Sequence, residues 1–294
     1  MSARLCRKLD GNVVANVWGK FLHGRARSNQ PFCQKMIQQD DTQRPTSILV
    51  ASPVYNDQCY GSYTHSLLQL QAALYQRGIG FEYAWTKSSS VITIARNLLS
   101  NWFLKRTQCT HLLFIDADMV FRSDDVLALL DADLDVIAAM CPRKEINWLN
   151  VASAARTWPD MAPGELARVA GSYGTYQLKQ PGQGFSVEKP VEVEGIGTGI
   201  MLIKRHVFLA MADAHPDAVM TSPDRAGGNE TIHTFFDIGK NERGEMLSED
   251  LFFCKRWRDI GGLVYGAPWF EVGHIGSYEF RGSLSDIAAV QGIA

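Results

Sequence analysis

The sequence predicts an α/β protein with a mostly parallel central sheet and helices on both faces. Apolar segments of strand length alternate with segments of helical periodicity through about 100 residues, from position 47 to position 140. Several of the strand segments are apolar almost throughout, which is typical of strands buried on both faces. With 294 residues, 46% of them hydrophobic, the chain is long enough to bury a large core.

The first half supplies most of this sheet. Strands are predicted at 47–53, Ile79–Trp85, 111–115 and Asp135–Met140, and helices at 64–77, at Val91–Arg106 and from Ser123 onward. Leu67, Leu70 and Leu74 recur at helical spacing within the first of these helices. A serine followed by two aspartates is typical of a helix start, because a hydroxyl can cap free amides and acids favour the positive end.

The second half is less regular. Segment 146–190 is rich in Gly, Pro and Ser, and segment 214–246 is polar, so both are predicted as loop regions outside the core. Further strands are predicted at Val191–Val193, Ile200–Ile203, Leu263–Tyr265 and Trp269–Val272, and a helix from Ser248. We therefore expect one domain over 45–285, after a basic N-terminal extension (1–44) and before a C-terminal tail (286–294).

Composition narrows the class of protein. A formal net charge of -2 argues against a nucleic-acid partner. The extension 1–44 carries eight Lys/Arg against three Asp/Glu; a solvated arm is the favoured explanation, and peripheral contact with a membrane surface is the alternative. The six cysteines include no C-x-x-C pair, as is typical of free thiols. Without a secretory signal or an apolar run of about 18 residues, a cytoplasmic protein with no transmembrane segment is expected.

The most informative motif is Asp116-Ala117-Asp118, directly after the predicted strand 111–115. Open α/β sheets bind ligands at the carboxyl ends of their strands. Two carboxylates spaced by one residue in a turn can converge on one divalent ion, and Mg²⁺ or Mn²⁺ prefers such oxygen ligands together with substrate phosphates. Two solvated acids are the alternative, because the D-x-D pattern is common by chance. The position after a buried strand favours the metal site.

Six motifs occur in an order that resembles the DxD-containing, family 2-like glycosyltransferases of the GT-A fold. They are Ile-Leu-Val-Ala-Ser-Pro-Val-Tyr-Asn (48–56), Ala-Arg-Asn (95–97), Leu-Leu-Phe-Ile-Asp-Ala-Asp (112–118), Gly-Thr-Gly-Ile-Met-Leu-Ile (197–203), Ser-Glu-Asp (248–250) and Gly-His (273–274). The resemblance spans residues 47–280. Each motif alone is weak, and their joint order is much more specific.

The resemblance implies that the loop after the first strand holds the nucleotide, through Ser52, Pro53, Tyr55 and Asn56. The Tyr55 ring can stack on a base, and the Asn56 amide can both donate and accept hydrogen bonds. Ordinary turn chemistry is the alternative for these two residues. Arg96 is also expected at the nucleotide site, because a guanidinium can bind phosphate or the carboxylates of the DxD motif in bidentate fashion.

The resemblance further implies a bound Mn²⁺ or Mg²⁺ ion, with Asp116, Asp118 and His274 as its ligands. The segment Asp116-Ala117-Asp118 would then also contact the diphosphate of a nucleotide-sugar. A lone histidine is more often a structural hydrogen-bonding residue than a ligand, so the Gly-His motif carries this assignment. A neutral imidazole favours Mn²⁺ somewhat over Mg²⁺.

Two acids are implied as catalytic residues. In the family pattern Asp250 is the base that removes a proton from the acceptor hydroxyl, with Glu249 as the second choice. The alternative is purely structural, since acids in the first turn stabilise any helix. The glycines at 195, 197 and 199 are expected to let the backbone approach the donor sugar or the acceptor.

The sequence thus predicts a metal-dependent hexosyltransferase that moves a sugar from a nucleoside diphosphate sugar to an acceptor hydroxyl, with inversion. A UDP-sugar is the favoured donor and a GDP-sugar the second choice. Three classes of acceptor stay open, namely a glycan, a lipid and a protein, and segments 146–190 and 214–246 are expected to shape the acceptor site. A retaining glycosyltransferase and a sugar nucleotidyltransferase are the enzymatic alternatives, although the glycine- and lysine-rich triphosphate loop of the latter is not seen. A non-catalytic carbohydrate-binding protein is the other alternative.

Overall fold

The computed structural model describes residues 12–16, 44–87, 90–174, 176–179, 182, 184–223 and 229–278. Of the predicted extension 1–44, only 12–16 and Arg44 fall within these ranges, and the predicted tail 286–294 lies outside them. Within the described ranges, no helix combines the length and the apolar character that crossing a membrane requires. None of the four cysteines in these ranges forms a disulfide.

Fifteen strands are formed by the described residues. In chain order they are β1 (Asn12–Asn16), β2 (Ser47–Val54), β3 (Gly80–Lys87), β4 (His111–Ile115), β5 (Met119–Phe121), β6 (Val136–Ala139), β7 (Tyr176–Leu178), β8 (Val191–Ile196), β9 (Ile200–Lys204), β10 (Val219–Pro223), β11 (Asn229–His233), β12 (Gly239–Lys240), β13 (Met246–Leu247), β14 (Val264–Ala267) and β15 (Val272–His274). Nine of them form the central sheet in the order β1-β3-β2-β4-β9-β6-β14-β8-β7. Only β8 and β9 run against the other seven, so most strands of the sheet point in one direction, as predicted.

Six α-helices lie within the part of the chain that the structure describes. They are α1 (Gly61–Gln76), α2 (Ile92–Arg106), α3 (Ser123–Asp131), α4 (Trp148–Thr157), α5 (Arg205–Ala214) and α6 (Glu249–Asp259). Residues of α1 and α3 share one core with the sheet, and residues of α2, α5 and α6 share the other. The predicted arrangement, an α/β protein with helices on both faces of the sheet, is therefore confirmed.

Strand β2 shows why both faces need covering. Ile48 and Val50 contribute to the core under α1 and α3, and Leu49 and Ala51 contribute to the core under α2, α5 and α6. Because successive side chains of a strand point to opposite faces, a strand that is apolar at every position must be buried on both sides. The uninterrupted apolar runs of the sequence are explained by this packing.

Some elements differ from the sequence predictions. The predicted loop 146–190 contains α4, a 3₁₀ segment at Pro163–Val169 and β7, and the predicted loop 214–246 contains the antiparallel pair β10–β11. The strand predicted at Trp269–Val272 is displaced to Val272–His274, where it pairs with β5. Helix α3 begins at Ser123 as predicted, but Arg122 occupies the N-cap position and no side chain caps the helix.

The fold gathers several loops at one edge of the sheet. Strands β2, β4 and β6 all point the same way, so the segments that follow them emerge together. Strand β9 runs in the opposite direction between β4 and β6, so the residues that precede it, Gly197–Gly199, lie at the same edge. The DxD motif follows β4 and is therefore surrounded by these segments.

A stability prediction arises at the opposite edge, where His111 begins β4. Burial, reinforced by the nearby Lys204 ammonium, lowers the pKa of His111 to about 4. Protonation then favours the unfolded chain, whose histidine has a pKa near 6.5, so stability is lost as the pH falls from about 6.5 towards 4. Between pH 7 and pH 5 this residue should cost the wild type about 1–2 kcal/mol, and His111→Gln should remove that part of the pH dependence in urea unfolding.

His65 provides the control for this experiment, because it is exposed on α1 and is not among the groups that shift the pKa of His111. His65→Gln should leave the difference in unfolding free energy between pH 7 and pH 5 close to that of the wild type. An equal pH dependence in wild type and His111→Gln would contradict the assignment.

Candidate active site

The DxD motif forms a tight turn that is fixed by backbone hydrogen bonds. The Asp116 amide donates to the Gly199 carbonyl over 2.9 Å, and the Met119 amide donates back to the Asp116 carbonyl over 3.1 Å. The chain then enters β5, which pairs with β15 so that Met119 lies opposite His274. The Ile275 amide donates to the Asp118 carbonyl over 2.9 Å. Two segments that are about 155 positions apart in sequence are thereby held side by side.

Arg96 joins the two predicted groups of acids. Its Nη2 donates to both carboxylate oxygens of Asp116, over 3.1 and 3.2 Å, and its Nε lies 3.5 Å from Glu249 Oε1. The guanidinium is 5.3 Å from the centroid of the Phe114 ring, and the residue is only 3% exposed. Burial raises the pKa of Asp116, and the neighbouring Arg96 opposes that rise. The sequence prediction that Arg96 reaches the DxD carboxylates is consistent with this geometry.

Asn97, the next residue of the same motif, has a structural role. Its amide nitrogen donates to the Phe236 carbonyl over 2.7 Å, and its amide oxygen accepts from the Phe236 amide over 2.8 Å. This pair of bonds ties α2 to the segment after β11. It also fixes the first turns of the helix that carries Arg96.

Asp118 lies between a lysine and a histidine. Its Oδ2 accepts from Lys144 Nζ, and its Oδ1 is 3.7 Å from His274 Nε2. His274 Nδ1 is 2.7 Å from the Pro142 carbonyl, which can only accept a hydrogen bond, so Nδ1 carries a proton. In the neutral imidazole, Nε2 therefore presents a lone pair towards Asp118. Two acceptors that face each other across 3.7 Å require a cation or a proton between them.

The Asp118–His274 pair fits a divalent metal ion. Asp118 Oδ1 is buried and has no hydrogen-bond partner, and His274 is oriented by a backbone carbonyl, as metal-binding histidines commonly are. Among the described residues, however, no group of three His, Cys, Asp or Glu side chains stands ready to hold a metal. Asp116, the third predicted ligand, directs both carboxylate oxygens to Arg96.

Two cavities meet at the DxD motif, and both are bordered by Asp116 and Ile92. The larger, of about 880 Å³, is lined by Pro53, Tyr55, Asp57, Gln58, Cys59, Tyr60, Ile92, Asp116, Ala117 and Asp118. We call it the β2-loop cavity. The smaller, of about 470 Å³, is lined by Arg96, Met119, Thr198, His274, the segments 141–143, 197–199 and 248–251, and Gly174, Tyr176 and Gln177. We call it the α6 cavity.

Several buried polar atoms without a hydrogen-bond partner belong to residues of these cavities, while others, such as Thr86 Oγ1 and His215 Nε2, lie elsewhere in the described residues. Buried side-chain atoms without a hydrogen-bond partner include Arg96 Nη1, Asp118 Oδ1 and Thr198 Oγ1. All three belong to residues that line one of the two cavities. A buried polar atom without a partner costs about 1–3 kcal/mol, so such atoms are rare outside sites that bind a ligand or water. Their position indicates that polar ligand groups belong here.

Only part of the predicted nucleotide loop lines the β2-loop cavity. Pro53 and Tyr55 line the β2-loop cavity, and the Tyr55 ring is 62% exposed. Ser52 is completely buried, with its hydroxyl bonded to Tyr63 Oη, so that hydroxyl is not available to a nucleotide. Asn56 does not line the cavity; it adopts a left-handed conformation (φ 53°), which asparagine tolerates better than most residues. The backbone of Asn56 fits the turn alternative, and neither Ser52 nor Asn56 is among the residues that line the cavity. Their contact with a nucleotide stays a prediction.

Both predicted catalytic acids border the α6 cavity at the start of α6. Asp250 Oδ1 accepts from the Ser248 hydroxyl and, over 2.8 Å, from the Leu251 amide, while Glu249 is held by Arg96. Ser248 occupies the N-cap position but directs its hydroxyl to Asp250 instead of capping a backbone amide. Asp250 thus combines a place in the cavity with two hydrogen bonds that hold its carboxylate in position.

Two of the three predicted glycines, Gly197 and Gly199, line the α6 cavity. A Cβ atom at position 199 would lie 2.5 Å from Met119 Cε and 3.2 Å from Cys141 Sγ, and at position 195 it would lie 2.8 Å from Leu251 Cδ2. The packing of neighbouring side chains therefore also favours glycine at positions 195 and 199. That the backbone here approaches the donor sugar or the acceptor stays a prediction.

Sequence reasoning missed Lys144, Thr198 and Tyr60 as residues of the site. Lys144 follows β6 by a few residues, and this position after a strand was a usable signal for the same edge of the sheet. Thr198 lies inside the Gly-Thr-Gly motif, in which only the glycines were predicted to be functional. Tyr60 borders the β2-loop cavity, and its amide is 3.4 Å from the Ala117 carbonyl. A contact between segments this far apart in the chain cannot be predicted from a local sequence pattern.

Comparison with known proteins gives distant structural similarity only. No protein family and no curated protein matches the sequence. The structure is similar to that of A197 from STIV, with 17% identity and a TM-score of 0.42 over 79% of this chain and 87% of that one. It is also similar to a mutant Drosophila β1,4-galactosyltransferase 7 solved with manganese, UDP-Gal and xylobiose (12% identity, TM-score 0.41, 82% and 79% covered). A third similarity is to a glycosyltransferase involved in glycosylation of the major capsid of PBCV-1 (9% identity, TM-score 0.27, 58% and 68% covered).

These TM-scores, all below 0.5, do not establish a shared fold or function. Function is therefore inferred from the residues of the site and their contacts.

Proposed function

We propose that the protein is a metal-dependent glycosyltransferase that moves a sugar from a nucleoside diphosphate sugar to an acceptor hydroxyl. The observation that carries this proposal is the meeting of two cavities at Asp116, with unpartnered polar atoms on Arg96, Asp118 and Thr198 around the junction. A reaction between a bulky donor and a separate acceptor needs two adjoining spaces that share the reacting centre. Polar groups at the junction would meet the charge of the leaving diphosphate.

The β2-loop cavity suits the nucleoside of the donor. Its volume of about 880 Å³ lies within the range usual for small-molecule sites. Tyr55 offers an exposed ring for stacking on a base, and Asp57 and Gln58 supply polar groups at the cavity wall. Asp116, Ala117 and Asp118 close the end nearest the α6 cavity, so a diphosphate attached to a nucleoside here would reach the carboxylates. A UDP-sugar is the first donor to test and a GDP-sugar the second.

Asp118 and His274 are the residues proposed to hold Mn²⁺ or Mg²⁺, with Asp116 as the third ligand. When bound, the ion would neutralise charge on the leaving nucleoside diphosphate and act as a Lewis acid. Arg96 holds Asp116 in place through its two contacts with the carboxylate and opposes the rise in its pKa that burial causes. Its free Nη1 is placed to donate to a phosphate oxygen.

The α6 cavity suits the transferred sugar and the acceptor. Asp250 is the proposed base that takes the proton of the acceptor hydroxyl as that oxygen attacks the anomeric carbon. A direct displacement of this kind inverts the anomeric configuration. Gly174, Tyr176 and Gln177 come from segment 146–190 and border this cavity, which supports an acceptor role for that segment. Of segment 214–246, none of the described residues lines either cavity.

An assay of nucleoside diphosphate release tests the proposal. UDP-, GDP- and dTDP-sugars would be incubated with the protein, with and without Mn²⁺, and release without acceptor measured as slow donor hydrolysis. Metal-stimulated release from one donor is expected. A sugar nucleotidyltransferase would instead release pyrophosphate from a nucleoside triphosphate and a sugar phosphate. No nucleoside diphosphate release from any donor, at any metal concentration, would overturn the enzyme assignment.

Asp118→Asn is expected to weaken metal-dependent donor binding. A ligand at 100 times its Kd adds about 2.7 kcal/mol to stability, which for a chain of this size raises the melting temperature by roughly 5–10 °C. Loss of a metal ligand should lower the affinity for UDP plus Mn²⁺ by at least about 10–100-fold, the range found for outer-shell partners, and so reduce this shift. The exposed Asp131, paired with Arg77, gives the control Asp131→Asn, which should keep the full shift. An unchanged shift in Asp118→Asn would contradict the metal site.

A further inference from the structure

Lys144 already binds the carboxylate of Asp118 on which the metal site is proposed. Its Nζ donates to Asp118 Oδ2, while the other oxygen of the same carboxylate faces His274. A lysine ammonium and a divalent cation cannot both sit close to one carboxylate without strong mutual repulsion. Metal binding at Asp118 and the Lys144–Asp118 ion pair are therefore competing states.

The loop that carries Lys144 also holds the predicted metal ligand His274. The carbonyl of Pro142, two residues earlier, accepts from His274 Nδ1. Further along, the stem of Lys144 lies over Gly276, where an added Cβ would meet Lys144 Cδ at 2.9 Å and Cβ at 3.1 Å. The lysine stem is thus guided by the segment that follows His274. Its side chain is nevertheless 42% exposed, so the ammonium has room to leave.

Lys144 lowers the net negative charge available to a metal ion at the site. Asp116, Asp118 and Glu249 have three formal negative charges, and Arg96 and Lys144, the cations in contact with them, have two formal positive charges. One net negative charge remains, which is a weak attraction for a divalent cation. Withdrawal of Lys144 leaves two, and it also frees an ammonium beside the place proposed for the donor diphosphate.

We propose that Lys144 acts as a built-in counter-ion that competes with the metal for Asp118 and transfers to the donor diphosphate when metal and donor bind together. The competition between Lys144 and the metal rests on the Lys144–Asp118 contact. The transfer of Lys144 to the donor diphosphate rests on the proposed function. Together they make metal and nucleotide binding mutually dependent: the metal releases the lysine, and the diphosphate gives the lysine a new partner. Each ligand then raises the affinity for the other by the same factor.

The test separates the two halves by measuring Mn²⁺ binding without nucleotide. The free-metal signal in electron paramagnetic resonance would be titrated for the wild type, Lys144→Met and Lys144→Met combined with Asp118→Asn. Lys144→Met should bind Mn²⁺ about three- to tenfold more tightly than the wild type, since the exposed ion pair no longer has to be broken. The double variant should lose that gain. In the second half, with Mn²⁺ at saturation, UDP should bind Lys144→Met about three- to tenfold more weakly than the wild type.

Opposite signs for the two ligands distinguish this mechanism from a structural defect, which would weaken both. Lys204→Met is the matched control, because Lys204 pairs with Asp133 and Asp135 at the opposite edge of the sheet. It should change neither affinity. Circular dichroism melting would show that each variant is folded, and Lys144→Gln would replace Lys144→Met if the latter is not.

Equal or weaker Mn²⁺ binding by Lys144→Met than by the wild type would overturn the inference, whatever the donor assay shows. Tighter Mn²⁺ binding with no weakening of UDP binding would overturn the transfer to the diphosphate. Failure of every donor to release a nucleoside diphosphate would overturn the proposed function while the Mn²⁺ titration still reports on Lys144 and Asp118.

Discussion

Asp250→Asn is expected to lower the rate of sugar transfer by about 10²–10⁴-fold, the usual contribution of a positioned general base. The amide keeps the oxygen that accepts from the Ser248 hydroxyl and from the Leu251 amide, so the start of α6 should be preserved. Loss of one negative charge in the first turn should cost about 0.3–1 kcal/mol of stability. The donor and the metal touch other residues of the proposed site, so the melting-temperature shift with UDP plus Mn²⁺ should remain.

The same helix supplies the control. Asp259 lies at the other end of α6 and pairs with Lys255, so Asp259→Asn changes an acid of the same helix away from the cavity. Its transfer rate should equal that of the wild type. Glu249→Gln tests the second choice for the base and, because Glu249 contacts Arg96, should also alter donor binding. Full activity in Asp250→Asn would exclude it as the base and would favour a retaining mechanism or Glu249.

The fold was largely predictable from local patterns. Strand β4 and the Asp116-Ala117-Asp118 turn were predictable because an uninterrupted apolar run ending in acids signals a buried strand that leads to a ligand-binding edge. Arg96 was predictable through the Ala-Arg-Asn motif, because from the pattern of the helix alone a surface arginine would be the usual explanation. These inferences depend only on residues close together in the chain.

Contacts between distant segments were beyond local reasoning. The bond from His274 to the Pro142 carbonyl and the contact of Lys144 with Asp118 depend on where β15 and the segment after β6 are placed by the sheet. The role of Ser52 was mispredicted because the sequence does not reveal that Tyr63 of α1 reaches its hydroxyl. Side chains at the edge of a sheet can point into a cavity or under it, and only the packed neighbours decide which.

The structure also changes the meaning of the DxD motif. The sequence predicted two carboxylates that bind a metal ion. In the structure each of them already has a cationic partner, Arg96 for Asp116 and Lys144 for Asp118. The two partners differ in a way that matters. Arg96 is buried and cannot leave without a large cost, whereas Lys144 is partly exposed and can exchange. Asp118 is therefore the acid that can exchange partners, and Asp116 has a permanent one.

Arg96→Met is expected to lower both stability and activity. Removing one partner of a buried ion pair costs about 3–5 kcal/mol, because the remaining carboxylates of Asp116 and Glu249 lose their counter-charge. The rate of nucleoside diphosphate release should fall by about 10²–10³-fold, since a preorganised donor at the place of developing charge is lost. Urea unfolding and the release assay, carried out at a temperature where the variant is fully folded, measure the two effects separately.

Arg205 shows what a buried arginine does when its role is only structural, and Arg205→Met is therefore the matched control. Like Arg96 it is 3% exposed, but its guanidinium donates to the carbonyls of Cys109, Leu104, Phe103 and Thr107 and to the Thr107 hydroxyl. Arg205→Met should cost a similar amount of stability, because several buried carbonyls lose their donors. Its release rate per folded molecule should remain that of the wild type. Equal losses of activity in the two variants would mean that Arg96 acts through stability alone, and a fully active Arg96→Met would remove Arg96 from the donor site.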